Sequence, residues 1–314
     1  MNHDSLDPAG NAAAHAPTGS AMVFMAGVAM SLVSEGIDST ASLGRARASF
    51  LSPDPDYAPD LDFSLDIRQG PVSGSLPPEY RKATWLFENH GEAVSVKKWT
   101  LDGEQILEVS SPDFMAHASG VIDPRFVKET CGRIGYGWIR QFGLCLIPLA
   151  IRLLRHGGLI FHGSALRFGE ADGVLCIGQS GRGKSTVARL AEEAGETPFC
   201  DERPIVRQCA GGAFRLHGTP WYSSGHYSLN ISAPLRRVYF LEHGESDEII
   251  PLRPSESLLR MRTVAVIPWQ VPAFFDPALK TLEALVTSIP CAVLRFRPAA
   301  SAIDRIRRDL ETRP

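Results

Sequence analysis

The sequence predicts an α/β protein of the α+β type, in which a small β-rich domain precedes a larger domain that binds a nucleotide. Three observations support this class. Short β-branched segments separated by turns occupy the first third of the chain, and a glycine-rich loop lies between a buried strand and a helix near its middle. Strands and helices then follow one another to the C-terminus. A chain of 314 residues is long enough for about two domains.

We expect three parts along the chain. Residues 1–20 are small, polar and without periodicity, which is typical of a disordered tail. Residues 21–120 form the β-rich accessory domain, and residues 121–314 form the nucleotide-binding domain.

In the accessory domain, turn signals separate short strands. Asn89-His90-Gly91 and Asp102-Gly103 are the turns. The strands around them are predicted at residues 83–88, 93–99 and 105–109. Residues 52–75 contain repeated Asp, Pro and Gly, and we expect an irregular surface loop there.

The larger domain begins with a helical stretch over residues 126–155, in which Pro148 kinks the helix or starts a second one. Gly157-Gly158 ends it. The strands predicted after it are 159–162, 174–177, 205–208, 214–217, 238–241 and 292–296. The helices predicted after it are 184–194, 277–287 and a last one that opens with Ser301 and Asp304 in capping-box spacing.

Composition excludes several classes of protein. The net charge is −3 and the pI is near 6.3, which argues against a dedicated nucleic-acid binder. The charge is uneven, because residues 1–80 hold ten acidic and three basic residues (−7), which leaves +4 for the rest. The sequence contains no run of 18 apolar residues, so no membrane-spanning helix is predicted. The apolar stretch 21–33 follows no basic segment, so we expect no signal peptide and a cytoplasmic protein.

The six cysteines form no CxxC pair and have no histidine partners at metal-ligand spacing. Buried, reduced thiols are therefore expected rather than a metal site or a disulfide framework.

The most informative segment matches the phosphate-binding pattern G-x-x-x-x-G-K-[ST] in full, over Gly178-Gln179-Ser180-Gly181-Arg182-Gly183-Lys184-Ser185. We name residues 178–185 the glycine loop. Glycines let successive backbone amides turn inward around an anion, and the helix that follows adds its positive end. Lys184 would reach the β- and γ-phosphates of ATP, the Ser185 hydroxyl would bind Mg²⁺, and Thr186 completes the predicted nucleotide-binding set.

Two acidic segments are candidates for the partner of this loop. Asp201-Glu202 follow the helix, and adjacent carboxylates there could divide the work, one holding the metal and the other accepting a proton. Glu242 ends an apolar strand, as the carboxylate of an ordinary P-loop ATPase does. The residues that follow it, His243-Gly244-Glu245, are typical of an exposed turn, which favours a structural role for Glu242.

These segments together resemble the catalytic domain of HPr kinase/phosphorylase. The resemblance rests on the run Gly158-Leu159-Ile160-Phe161-His162-Gly163-Ser164-Ala165, the glycine loop and the acidic pair, and it covers residues 157–300. It is closer to the stand-alone HPr-kinase-like proteins found beside peptide-modification genes, which include the lasso-peptide kinases. The run His217-Gly218-Thr219-Pro220-Trp221 is also similar to that subgroup.

The resemblance implies a fold related to phosphoenolpyruvate carboxykinase, with the loop in a sheet of mixed and antiparallel strands. It further implies that Asp201 is the general base and acid, that Glu202 binds Mg²⁺ directly or contacts its ligands, and that His162 lies near the transferred phosphate. Relatives often form oligomers. This sequence departs from the usual aspartate pair at Glu202, and it shows no copy of the signature for phosphorolysis.

The leading hypothesis is therefore an ATP- and Mg²⁺-dependent kinase that phosphorylates a Ser or Thr hydroxyl of a peptide or small protein. One alternative is a nucleotide-dependent binding or switch module, which a parallel sheet with strand 238–241 beside the loop strand would favour. A mixed sheet with Asp201 over the loop would count against that module. A kinase of a small hydroxyl metabolite is the third possibility.

Overall fold

A computed structural model describes residues 18–35, 49–74, 85–100, 102–125, 145–179 and 181–312. Within them the chain forms two mixed β-sheets with helices, which confirms the predicted α/β class and the mixed sheet. The predicted tail lies outside the described residues up to residue 17, and its last three residues already belong to a strand.

The first sheet has seven strands in the order β1-β2-β3-β7-β6-β5-β4. They are β1 (Thr18–Met25), β2 (Val28–Glu35), β3 (Leu61–Gln69), β4 (Trp85–His90), β5 (Ala93–Trp99), β6 (Gln105–Ser111) and β7 (His117–Ile122). Strand β3 runs parallel to both of its neighbours, and the other pairs are antiparallel.

Strand β3 corrects the loop predicted over residues 52–75. Phe63, Leu65 and Ile67 are buried on one face, whereas Asp62 and Asp66 are exposed on the other. Aspartate is uncommon in strands, but here it occupies the wet face of a strand with one buried face. The alternation, rather than the aspartate content, was the informative signal.

The second sheet carries the glycine loop. Its strands are β8 (Gly158–Ile160), β9 (Gly163–Phe168), β10 (Asp172–Ile177), β11 (Thr197–Cys200), β12 (Ile205–Gln208), β13 (Phe214–His217), β14 (Ser232–His243), β15 (Glu248–Pro251) and β16 (Cys291–Phe296). Their order is β11-β9-β10-β14-β13-β12-β8, and β16 pairs with β14 and β15. Strand β14 is parallel to β10 and β16, and the remaining pairs are antiparallel.

Five α-helices lie wholly within the described residues: α1 (Leu146–Leu154), α2 (Lys184–Glu193), α3 (Pro254–Met261), α4 (Phe275–Ser288) and α5 (Ser301–Glu311). A 3-10 helix (Pro272–Phe274) precedes α4. Most of the helix predicted over 126–155 lies outside the described residues, and Pro148 sits in the first turn of α1, where proline is tolerated. The predicted capping box of α5 is wrong. Ala300 is the N-cap, and the Ser301 hydroxyl instead donates to Asp247.

Side chains of β10 alternate between two hydrophobic cores. Val174 and Cys176 pack with α2 and α5, whereas Leu175 and Ile177 join a larger cluster that also holds α1, α4 and the inner face of the first sheet. The two sheets therefore both contribute side chains to the larger of these clusters. The domain limits at residues 20 and 120 stay a prediction.

Two further expectations concern membranes and thiols. No helix in the described part of the chain is both long and apolar enough to cross a membrane. The five cysteines within the described ranges are free thiols, and Cys145, Cys176, Cys200 and Cys291 are buried.

Candidate active site

The glycine loop connects the end of β10 to the start of α2. Gly181 and Gly183 have φ angles of 79° and 93°, in the left-handed region that favours glycine. A Cβ on Gly183 would also lie 2.7 Å from the Cζ atom of Phe296. Gly183 is therefore required both by its backbone angle and by its neighbour. Ser180 lies outside the described residues.

The start of α2 is open to an anion. Its N-cap is Gly183, no described side chain caps it, and no acidic residue stands in its first turn. The Lys184 ammonium donates to the carbonyl oxygens of Gly178 (2.8 Å) and Gln179 (3.0 Å) across the loop. Burial lowers the pKa of Lys184, and the charge of Arg203 lowers it further, against the opposing charge of Glu202. Uncapped amides beside a lysine fit a phosphate group.

A cleft of about 340 Å³ opens beside this helix start. Segments from distant parts of the chain meet there: the turn after β8, the glycine loop, the turn after β11, a loop before β14, and the end of β14. The lining residues are His162, Gly181, Gly183, Lys184, Ser185, Thr186, Glu202, Ser223, Ser224 and His243.

Glu202 is the carboxylate that lines the cleft. Its Oε1 lies 3.5 Å from Nδ1 of His162 and 3.2 Å from Nη2 of Arg203. Burial alone would raise the pKa of Glu202, but the His162 contact and the charges of Arg203 and Lys184 outweigh it and lower the pKa. Glu202 is thus held as a charged group at the wall of the cleft.

His162 is oriented by the same cluster. Its Nδ1 lies 2.7 Å from Nη1 of Arg203 and 3.5 Å from Oε1 of Glu202, so these two neighbours fix the direction of the ring.

Asp201 lies behind the cleft wall. It is 1% exposed, its Oδ1 accepts from the backbone N–H of Ser223 (2.9 Å), and its Oδ2 accepts from that of Gly225 (2.8 Å). Burial raises its pKa, against the lowering effect of these two hydrogen bonds. Asp201 therefore holds the loop that carries Ser223 and Ser224, whereas the general-base role expected of it stays a prediction.

The oxygen donors in the cleft suit Mg²⁺, which prefers hard hydroxyl, carboxylate and phosphate oxygens. The exposed Ser224 hydroxyl lies 3.4 Å from that of Ser185, and the Glu202 carboxylate lines the same cleft. Ser185, Ser224 and Glu202 could hold the ion.

Glu242, the alternative carboxylate, does not line the cleft. Its Oε1 lies 3.3 Å from Arg260 and its Oε2 lies 3.5 Å from Arg295. It belongs to a partly exposed cluster of ion pairs at the end of β14.

Comparison with known proteins relates half of the chain to one family. The family model described as SynChlorMet cassette protein ScmC matches residues 138–294. The chain belongs to the ScmC family. Comparison of this ScmC-family chain with the curated proteins finds no match. Among solved structures, it is similar to the Hpr(Ser) kinase/phosphatase from Coxiella burnetii at 11% identity and a TM-score of 0.29, over 48% of this chain and 98% of that one.

The part of the chain that matches the ScmC family contains every residue that lines the cleft. The structure brings together the predicted residues His162, Gly181, Gly183, Lys184, Ser185, Thr186 and Glu202. Gly178 and Gln179 contribute the carbonyl oxygens that hold Lys184, and Arg182 is exposed outside the lining.

Sequence reasoning missed Ser223, Ser224 and His243. The Nε2 atom of His243 lies 2.8 Å from the carbonyl oxygen of Gly181, so it contacts the glycine loop directly. His243 follows closely on the strand predicted at residues 238–241, which was a usable signal, because ligands bind beyond the carboxyl ends of strands in such sheets. The two serines carried no comparable signal.

Proposed function

We propose that this protein is an ATP- and Mg²⁺-dependent kinase that transfers the γ-phosphate to a Ser or Thr hydroxyl of a peptide or small protein in the cytoplasm. The observation that carries the proposal is one cleft in which Lys184, Ser185, the open start of α2 and the charged Glu202 meet. Cation, hydroxyl, amides and carboxylate are the groups that phosphoryl transfer needs.

Lys184 and the amides at the start of α2 would bind the phosphates and stabilise charge on the transferring group. For this, Lys184 exchanges its bonds to Gly178 and Gln179 for phosphate oxygens. Mg²⁺, when bound at Ser185, supplies neutralisation of the phosphate charge. His162 lines the same cleft, where its ring would contact the phosphoryl oxygens.

Glu202 is better placed than Asp201 to accept the proton of the attacking hydroxyl. It lines the cleft and is charged, whereas both oxygens of Asp201 are engaged by backbone amides. As the acceptor oxygen bonds to the γ-phosphorus, its proton passes to Glu202 and the bond to the β-phosphate oxygen breaks. This proposal moves the proton-accepting role from Asp201, where the resemblance put it, to Glu202.

A transfer assay with labelled ATP tests the proposal. Candidate acceptors are small peptides encoded near this protein, with free serine as the small-molecule alternative. We expect a labelled peptide with wild type and loss of both nucleotide binding and label with Lys184→Ala. Arg189→Ala, on the exposed side of α2, is the matched control and should behave as wild type.

Labelling of free serine alone would show that the acceptor class is wrong. Hydrolysis of ATP without labelling of any acceptor would contradict the kinase.

A nucleotide-dependent switch is the second candidate, and one observation favours it. Strand β14 lies beside β10 and runs parallel to it, with Val174 opposite Arg237 and Ile177 opposite Phe240, as in ordinary P-loop ATPases. The mixed sheet and the ion pairs of Glu242 weigh against it. Nucleotide-dependent protection of the first sheet in hydrogen exchange, without transfer, would favour the switch.

A further inference from the structure

The Ser224 hydroxyl lies in the cleft, next to the Ser185 hydroxyl of the glycine loop. Ser224 is exposed, lines the cleft, and its Oγ is 3.4 Å from the Oγ of Ser185. It follows Ser223 in a loop more than thirty residues beyond α2, so no local motif connects it to the glycine loop.

The two hydroxyl oxygens form a long hydrogen bond of 3.4 Å, and this separation also lets both of them reach one cation. Hydroxyl–hydroxyl hydrogen bonds have a usual length of about 2.7–2.8 Å, which is shorter than the gap here. Mg²⁺ binds oxygen at about 2.0–2.1 Å in octahedral geometry, so neighbouring ligands stand roughly 2.9 Å apart and opposite ones roughly 4.1 Å. The observed 3.4 Å is about 0.5 Å longer than the first value, so a small rotation of either side chain would bring the two oxygens to neighbouring positions on one ion.

The loop that carries Ser224 is held on both sides. Asp201 accepts from the amides of Ser223 and Gly225, immediately before and after Ser224. Two residues further on, the Tyr227 hydroxyl donates to Glu192 of α2 at 2.7 Å. His226 adopts φ 59°, a strained angle for a residue with a side chain, and such strain persists where surrounding contacts impose it. Ser224 is therefore positioned before any ligand binds.

We propose that Ser224 is a direct ligand of the nucleotide-bound divalent cation, together with Ser185, and that Asp201 is the positioning residue that holds it there. The inference rests on the proposed function for the presence of a metal–nucleotide complex in this cleft. Its chemistry is that of a hard divalent cation bound by hydroxyl oxygens.

Mn²⁺ titration followed by electron paramagnetic resonance, with the full chain and ADP, tests the ligand directly. We expect Ser224→Ala to weaken Mn²⁺ binding by about 10- to 100-fold, on the scale seen when groups around a metal are altered. Nucleotide affinity in the presence of EDTA should not change. Ser246→Ala, in an exposed turn where the hydroxyl donates to Glu248, is the matched control.

Ser224→Cys separates coordination from loop structure. A thiolate prefers soft cations, so this variant should lose affinity for Mg²⁺ and gain affinity for Cd²⁺ relative to wild type, a reversal that mere disturbance of the loop would not produce. The Asp201→Asn variant should weaken Mn²⁺ binding less than Ser224→Ala, since it keeps the hydroxyl but loosens its loop.

Several results would overturn the inference. One is unchanged Mn²⁺ affinity in Ser224→Ala while Ser185→Ala loses it, and another is the absence of metal–nucleotide binding by wild type. A phosphoryl group found on Ser224 by mass spectrometry after incubation with ATP would make it an acceptor instead. Ser224-dependent Mn²⁺ binding without transfer to any peptide would leave this inference standing and remove the proposed function.

Discussion

The cleft and the junction between the two sheets both bury charged groups around an arginine, yet only the cleft has the features of a site. In the cleft, Arg203 lies against Glu202 and His162. At the junction, Arg207 of β12 donates to Asp60 at 2.6 Å and to the carbonyl oxygen of Ala26 at 2.8 Å, both of which belong to the first-sheet region. The Arg207 side chain is only 5% exposed.

The junction also contains a histidine with a perturbed pKa. His217 is buried, and burial, with the charges of Arg207 and Arg215, lowers its pKa to about 3. Its ring packs edge-on against Tyr57 with centroids 4.9 Å apart, and neither ring nitrogen has a hydrogen-bond partner among the described residues. What distinguishes the cleft is access: its charged groups line a space beside an open helix start. A perturbed pKa without such a space indicates packing.

The substitution with the largest expected effect is Glu202→Gln, which tests the role of the cleft. Removing the proton acceptor should lower the rate of transfer roughly 100- to 10,000-fold. Asp201→Asn is the matched neighbour. It should lower the rate far less and reduce stability by about 1–3 kcal/mol, since one backbone amide then faces an NH₂ group. Rates from single-turnover transfer and midpoints from urea unfolding measure both, and the reverse ranking would return the base to Asp201.

A substitution at the junction should lower the free energy of unfolding without changing nucleotide binding. Asp60→Ala removes the partner of a buried arginine, and because Asp60 is itself half exposed, we expect a loss of about 2 kcal/mol in the free energy of unfolding. Nucleotide affinity should stay as in wild type. Asp66→Ala, on the exposed face of β3, is the control and should leave stability nearly unchanged. A large loss of nucleotide binding in Asp60→Ala would instead connect the junction to the cleft.

The effect confined to acidic pH is the pH dependence that His217 confers. Its pKa is depressed in the folded chain, so the unfolded chain takes up a proton first as the pH falls below about 6.5, and stability is lost from there toward pH 3. His217→Phe keeps a ring against Tyr57 and should flatten this loss. Urea unfolding between pH 7 and pH 4 measures it, with His90→Phe at an exposed position as the control. Equal acid sensitivity in His217→Phe and wild type would show that another group is responsible.

Local features were predictable because their causes are local. The turn at Gly181 and Gly183 follows from backbone angles that glycine favours, and α2 follows from the spacing of Val187 and Leu190. The predicted strands at residues 205–208 and 214–217 are observed with the same limits. Strand β3 was missed because its aspartates were weighed as loop formers instead of as one face of an alternation.

The sequence by itself determined that the glycine loop stands between a buried strand and a helix, and that an acidic pair follows one helix later. Only the tertiary structure decided which carboxylate of the pair lines the cleft, and that Ser224 and His243 approach the loop. The physical reason is the distance along the chain over which each interaction acts. Backbone angles and periodicity act between near neighbours, whereas the direction of Asp201 depends on amides more than twenty residues away.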